Sequence, residues 1–284
     1  MIMSNTHVLQ PLRDEQYAHA YAVFLQQWQL KRTASLAIMS RHLQVALADH
    51  PSLAVLSVGP GPGGFDQQVA HMVQQLVGDR PVRYVAVEPN PVHRQVFTAT
   101  MQAAGFQNVH FDLLPIGIEE LQTDAHFDCI HYTHSLYYMP GRERALILEA
   151  LRMLTAEGFL LITIDSDDAV MPRMIGKYLK RTGNLGRQEF PLMIGAQYLM
   201  QLMDELGLAY EQTMLEESVD VTPCFDEYSQ EGSALLDFLF HAQVSSSSPD
   251  LKKLSLAILA EEAVASGNRK LIYGPAATIV IPKQ

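Results

Sequence analysis

The sequence predicts an α/β fold, with a mostly parallel sheet covered by helices on both faces. Three observations predict it. Short apolar runs rich in β-branched residues alternate with helical stretches between residues 52 and 165. A glycine-rich turn, "LSVGPGPGGFD" (56–66), follows the first of these runs and opens a helix. A chain of 284 residues, 48% hydrophobic and 18% charged, has the material for a sizeable core.

Taken in order, residues 14–49, "DEQYAHAYAVFLQQWQLKRTASLAIMSRHLQVALAD", read as two helices. Tyr17, Tyr21, Phe24 and Trp28 recur at helical spacing, which turns one aromatic stripe inward. "SLAVLSVG" (52–59) is a buried strand that stops at glycine, and "GFDQQVAHMVQQLVG" (64–78) is a helix. "VRYVAVEP" (82–89) is the second strand, and "PVHRQVFTATMQAAG" (91–105) is a helix closed by Gly105. "NVHFD" (108–112) is the third strand, and "FDCIHYTHSLYYM" (127–139) starts as the fourth. "RERALILEALRMLTAEG" (142–158) is a helix closed by Gly158, and "FLLITID" (159–165) is the fifth strand. This rhythm means parallel strands joined by crossover helices. Beyond residue 165 it loosens. Residues 168–183, 195–207, 233–244 and 248–267 are helical, 209–222 is extended, and "AATIVIPK" (276–283) is a closing strand. "VSSSSPD" (244–250) is a turn in which Ser248 or Asp250 can cap the following helix.

Composition removes several classes. No apolar run approaches the roughly 20 residues that span a bilayer, so no membrane partner is expected. "MIMSNTHVLQPLRDEQ" lacks the basic region and apolar stretch of a secretory leader. Cys129 and Cys224 supply neither a disulfide framework nor a zinc-ligand spacing. A cytoplasmic, reducing setting is the default. The formal charge of −11 argues against a nucleic-acid partner, since such proteins neutralise phosphates.

Gly59, Gly61 and Gly64 satisfy G-x-G-x-x-G between a strand and a helix, the context in which that pattern binds nucleosides. Glycine lets the backbone pass close to a ligand, and helix N-terminal N–H groups can meet a carboxylate or phosphate. Glu88, at the end of the second strand, can accept hydrogen bonds from both hydroxyls of a ribose. NAD, FAD and S-adenosylmethionine all fit. The placement favours S-adenosylmethionine, because the sheet begins at this loop and residues after 165 read as a cap rather than a second nucleotide fold.

The fourth strand breaks into His134, Ser135, Tyr137 and Tyr138 at the carboxyl edge, where ligands sit. Adjacent tyrosines offer flat faces to a cationic sulfonium, worth roughly 0.5–2 kcal/mol. His134 can hydrogen-bond a substrate or accept a proton, whereas His131 points into the strand's packing. The eleven histidines are scattered, and His131 with His134 is too thin a pair for a ligand set, so no metal is expected.

With these residues in place, the chain resembles histamine N-methyltransferase and its relatives among class I S-adenosylmethionine-dependent methyltransferases. The resemblance runs through "YAHAYAVFL", "VLSVGPGPGGFDQQV", "VAVEP", "DCIHYTHSLYY", "CFDEYSQEGSALLDFL" and "LIYGPAATIVI". It implies a Rossmann-like class I methyltransferase sheet, mostly parallel with an antiparallel last strand, and a helical substrate cap. Residues 1–50 would form an N-terminal helical lid and 51–165 the S-adenosylmethionine-binding core. Residues 166–284 would supply C-terminal core strands and cap insertions. Carried over by position, Gly59 and Glu88 hold the methionyl group and the ribose. His93 and Thr133 occupy further cofactor-contact positions, with side chains unlike the family's usual ones. Tyr17, Tyr21, Tyr137, Tyr138 and Phe238 line an aromatic acceptor pocket. The family's glutamate on the N-terminal helix is matched by Leu30, its glutamine on the fourth strand by His134, and its asparagine near the last strand by the neighbourhood of Gly274. A site without its hydrogen-bond partners rejects the ligand built for them, so histamine itself is not the expected substrate.

The expected reaction is methyl transfer from S-adenosylmethionine to a nitrogen of a small molecule, an imidazole, heterocycle or amine, with His134, Tyr137 and Tyr138 at the reacting centre. The alternative keeps the cofactor and cyclises its methionyl chain, releasing methylthioadenosine and a small cyclic amino acid. A non-catalytic nucleoside-binding protein and a dehydrogenase rank below both.

Overall fold

The computed structural model describes residues 9–30, 32–46, 51–182 and 194–284. The leader reading of residues 1–8 and the end of the second expected helix, 47–49, lie outside them. The elements in chain order begin with α1 (Asp14–Gln27), β1 (Trp28–Leu30) and α2 (Arg32–Ala46). There follow β2 (Leu53–Val58), α3 (Gly64–Val77), β3 (Val82–Val87), α4 (Pro91–Ala104) and β4 (Val109–Leu114). The middle holds β5 (Phe127–Thr133), α5 (Glu143–Arg152), β6 (Leu154–Asp165) and α6 (Val170–Thr182). The chain continues with α7 (Ala196–Leu206), β7 (Glu211–Asp220), α8 (Gln230–Leu239) and α9 (Pro249–Glu262), then ends with β8 (Val264–Ser266) and β9 (Arg269–Pro282).

The chain divides into two units. The sheet unit comprises 31–166, 194–215 and 276–284. Its strands lie in the order β4-β3-β2-β5-β6-β9, with β7 beside β9. The β2–β3, β3–β4, β2–β5 and β5–β6 pairs are parallel, and β6 meets β9 antiparallel, Phe159 opposite Pro282. The fold is therefore the expected mostly parallel sheet with antiparallel last strands. Its core joins Met39 and Leu43 of α2, Val69 and Val73 of α3, and Val55, Cys129, Leu161 and Val280 of the sheet, all fully buried. The chain leaves β2 toward β3 on one side and returns to β5 on the other. That reversal makes the carboxyl ends of β2 and β5 the topological switch point, the place where ligands of open parallel sheets bind.

The second unit comprises 1–30, 167–193 and 216–275. In it α1 packs on α8 through Phe24 and Phe238, with ring centroids 4.4 Å apart. α6 carries Arg173, Lys177 and Arg181 against Glu261 and Glu262 of α9, at 2.7–3.2 Å. The pairs on Glu261 are exposed on both sides and contribute little to stability, whereas Glu262 is largely covered; together they set how the helices meet.

Several boundaries differ from the sequence reading, each for a local reason. The helix expected to run to Gly158 ends at Arg152, and β6 already begins at Leu154. Phe127 pairs with Leu154 and then Cys129 with Phe159, so the intervening residues bulge. A Cβ on Gly158 would lie 2.8 Å from the Phe127 carbonyl oxygen, so this residue must be glycine for the bulge to close. The helix expected over 248–267 stops at Glu262. Val264–Ser266 instead pairs with Arg269–Leu271 around Gly267, whose φ of +62° suits the first position of a two-residue hairpin turn. The closing strand starts at Arg269, seven residues before the expected 276. Trp28 is no longer on the helix: it opens β1, opposite Val219 of β7.

Candidate active site

The loop after β2 is shaped by left-handed glycines. Gly59, Gly61 and Gly63 have φ of +66°, +59° and +81°, and Gly64 is the first residue of α3. A Cβ on Gly59 would come within 2.8 Å of the Ser135 Cβ, and one on Gly63 within 2.6 Å of the Phe97 ring. The backbone thus lies flat against the chain that leaves β5, and Ser135 Oγ donates to the Val58 carbonyl at 2.6 Å. The G-x-G-x-x-G reading singled out Gly64, whereas the conformation that only glycine adopts readily falls at Gly63. Two consecutive glycines at a helix start were the available signal. The loop's own N–H groups are used internally: Gly59 to Val87 O, Gly61 to Glu88 Oε2 and Gly63 to Pro60 O. What the loop offers a ligand is close approach, not these three donors.

Glu88 follows β3 and is 5% exposed. Its Oε2 accepts from Gly61 N at 3.0 Å and its Oε1 from Asn90 N at 2.8 Å. Asn90 in turn caps α4, accepting from the N–H groups of Val92 and His93. Burial raises the Glu88 pKa, and the two backbone N–H groups oppose the rise. Each carboxylate oxygen keeps lone-pair capacity beyond its single backbone donor, which suits a vicinal diol. His93, buried on α4, holds its Nδ1 3.9 Å from Glu88 Oε2. The raised pKa predicts a pH effect. Affinity for a ribose that needs the ionised carboxylate falls as pH drops through a value above the ordinary ~4.3 for glutamate. Calorimetric titration of S-adenosylhomocysteine from pH 8 to 5 checks it, and Glu88→Gln abolishes the dependence.

Thr133 ends β5, and His134 turns the chain with φ +54°. Its N–H still donates to Thr163 O at 2.8 Å, so the sheet ladder holds a left-handed residue that costs of order 1–3 kcal/mol. His134 Nδ1 lies 3.4 Å from Asp165 Oδ1. Leu136–Tyr138 then form a 3-10 turn that packs Tyr137 inward and leaves Tyr138 38% exposed, their rings edge to face at 4.9 Å. Asp165, at the carboxyl end of the neighbouring strand β6, was not singled out in the sequence. Its position on that edge was the only signal. His131 lies buried in the strand, as expected, and Thr133 Oγ1 is 3.2 Å from its Nδ1.

Tyr17, Tyr21 and Phe238 belong to the second unit and meet there. Tyr17 stacks on Tyr21 at 5.9 Å, and Phe238 lies 5.8 Å from Tyr17 and 5.3 Å from Tyr21. Phe24, Trp28 and His241 extend the group. Trp28 Nε1 donates to Glu217 Oε2 of β7 at 2.9 Å, which sets a carboxylate beside the rings. Leu30, matched above to a helical glutamate, lies instead on β1, opposite Glu217 in register. Glu217 was not legible as part of this group, because the pairing of β1 with β7 joins residues 189 apart in sequence, whereas His241 lies three residues after Phe238 and was not singled out.

Comparison with known proteins places the chain in a family. A family model described as a methyltransferase domain matches residues 28–213. The chain belongs to that family. It is an S-adenosylmethionine-dependent methyltransferase. Histamine N-methyltransferase A of Xenopus laevis is 28% identical over 205 residues, 67% of this chain and 67% of that protein. Histamine N-methyltransferase of Rattus norvegicus is 26% identical over 66% of this chain and 65% of its own length, so the match spans about two-thirds of these relatives. Carnosine N-methyltransferase 2 of Gallus gallus is 24% identical over 81% of this chain and 74% of its own. The crystal structure of the YcgJ protein of Bacillus subtilis shares the fold, with a TM-score of 0.58 at 16% identity, over 89% of this chain and 99% of that one.

Proposed function

We propose that this methyltransferase acts on a nitrogen of a small molecule, an imidazole, heterocycle or amine, other than histamine. The observation that carries the cofactor half is Glu88, buried just after β3 with one backbone donor on each oxygen, beside a loop too tight for side chains at Gly59 and Gly63. That geometry fits a ribose diol and an adjoining amino-acid tail. When bound, S-adenosylmethionine supplies a methyl group already activated on a sulfonium, which leaves the protein mainly alignment and exclusion of water. Tyr137 and Tyr138 form the aromatic wall on the β5 side. His134 takes the proton that a methylated neutral nitrogen releases, and Asp165 at 3.4 Å then pairs with the imidazolium.

For the acceptor, the aromatic group of the second unit suits a flat or cationic molecule, and Glu217 adds the charge an amine would meet. The departures argue against histamine. By the resemblance, Leu30 stands where the family has a glutamate and the neighbourhood of Gly274 where it has an asparagine, while Glu217 brings a carboxylate from another strand, so the polar contacts are rearranged. Incubation with S-adenosylmethionine and a panel of small imidazoles and amines, followed by mass spectrometry, tests the reading. S-adenosylhomocysteine with a methylated amine is the expected pair of products. Methylthioadenosine formed with no acceptor present would replace transfer by cyclisation. Tyr138→Ala is expected to lower kcat/KM for the acceptor about tenfold, from loss of aromatic contact, while cofactor Kd stays within about twofold. Equal losses in both would remove Tyr138 from the acceptor side.

A further inference from the structure

Beneath the glycine loop, four side chains of the sheet unit are linked from the start of α3 to the end of β5. Tyr84 Oη donates to Asp66 Oδ1 at 2.9 Å. Burial and the Asp66 carboxylate push the Tyr84 pKa well up, so the phenol keeps its proton. It has only one to give, and that one goes to Asp66. Its 3.1 Å contact with His131 Nε2 therefore runs the other way, with the imidazole N–H donating. His131 is 1% exposed, and burial lowers its pKa, while Asp66, whose Oδ1 lies 3.7 Å from Nε2, opposes the fall and favours a proton on that nitrogen. A neutral ring protonated on Nε2 carries a lone pair on Nδ1. The 3.2 Å contact between Nδ1 and Thr133 Oγ1 therefore consumes the threonine's single proton.

Thr133 is half-buried at the carboxyl end of β5, and its neighbour Tyr132 stands opposite Val58, the residue before the glycine loop. We infer that Asp66, Tyr84 and His131 are positioning residues that fix the Thr133 hydroxyl as an acceptor, so that Thr133 selects an N–H donor on the bound nucleoside. The inference rests on the cofactor reading above. The donor has two sources in such a ligand, an exocyclic amine on the base and an ammonium on the tail. An oxygen acceptor in the same place would face lone pair against lone pair.

Two measurements test this. Nitrogen-15 imidazole spectra of the ligand-free wild-type protein are expected to show His131 as the Nε2–H tautomer at neutral pH. The Nδ1–H tautomer or an imidazolium would overturn the polarity. Calorimetry then compares three compounds: S-adenosylhomocysteine, its 6-oxo inosine analogue and its analogue lacking the α-amine. Wild type is expected to bind one analogue about tenfold more weakly than the parent. In Thr133→Val the parent falls to within about twofold of that analogue, and Thr133→Ser restores the gap. The analogue that loses affinity identifies the donor. Equal losses for all three compounds in Thr133→Val, with the parent still bound by wild type, would overturn this inference and leave the cofactor reading standing. Failure of wild type to bind S-adenosylhomocysteine at all would overturn both.

Discussion

Glu88→Ala lowers the affinity for S-adenosylhomocysteine by about 30- to 100-fold, or about 2–3 kcal/mol. The loss has two parts. Charge-assisted hydrogen bonds from the ribose hydroxyls disappear, and these are about twice as strong as neutral ones. The N–H groups of Gly61 and Asn90 also lose their acceptors, which loosens the loop on one side and the start of α4 on the other. Glu88→Gln separates these parts. The amide keeps one accepting oxygen, but its NH2 faces a backbone donor at 3.0 or 2.8 Å, so one loop contact becomes repulsive. An intermediate loss is expected for Gln. Isothermal titration at pH 8, well above the usual carboxylate range, reads all three proteins. Unchanged affinity in Glu88→Ala would remove this residue from the ribose.

Gly59→Ala is the second large effect. Alanine at φ +66° costs about 1–2 kcal/mol in backbone strain alone. Its Cβ would also stand 2.8 Å from the Cβ of Ser135, which is anchored by its bond to the Val58 carbonyl and cannot yield freely. The loop must lift, and with it the surface presented to the ligand. We expect cofactor affinity to fall at least tenfold, with a drop in Tm of about 3–6 °C for a chain of this size. Adding Ser135→Gly removes the clash but not the strained φ. The double variant should therefore recover part of the binding and little of the stability. A Gly59→Ala protein that binds like wild type would show that the ligand does not depend on this close approach.

The parts legible in the sequence were those fixed by local chemistry. Alternating apolar runs and helices gave the parallel sheet, and a strand ending in Glu88 beside a glycine turn gave the proposed ribose position. The lack of a Cβ permits the left-handed conformations of Gly59 and Gly61, so the glycine run marks where the chain can turn tightly, though not which of its glycines are left-handed. The parts that stayed hidden depend on pairing across long stretches of chain. Asp165 reaches His134 because β6 lies beside β5, and Glu217 reaches Trp28 because β1 pairs with β7. Nothing within a few residues of either carboxylate announces its partner. The early start of β6 was hidden for the same reason, since its bulge is set by the Phe127 carbonyl on another strand.

The central claim is that the nucleoside lies over the carboxyl ends of β2 and β5 with its sugar clasped by Glu88. A crystal structure of the protein with S-adenosylhomocysteine tests it most directly. The account predicts both ribose hydroxyls within about 2.5–3.0 Å of the Glu88 carboxylate oxygens and the amino-acid tail along Gly59. A nucleoside bound elsewhere, or a ribose turned away from Glu88, would contradict it.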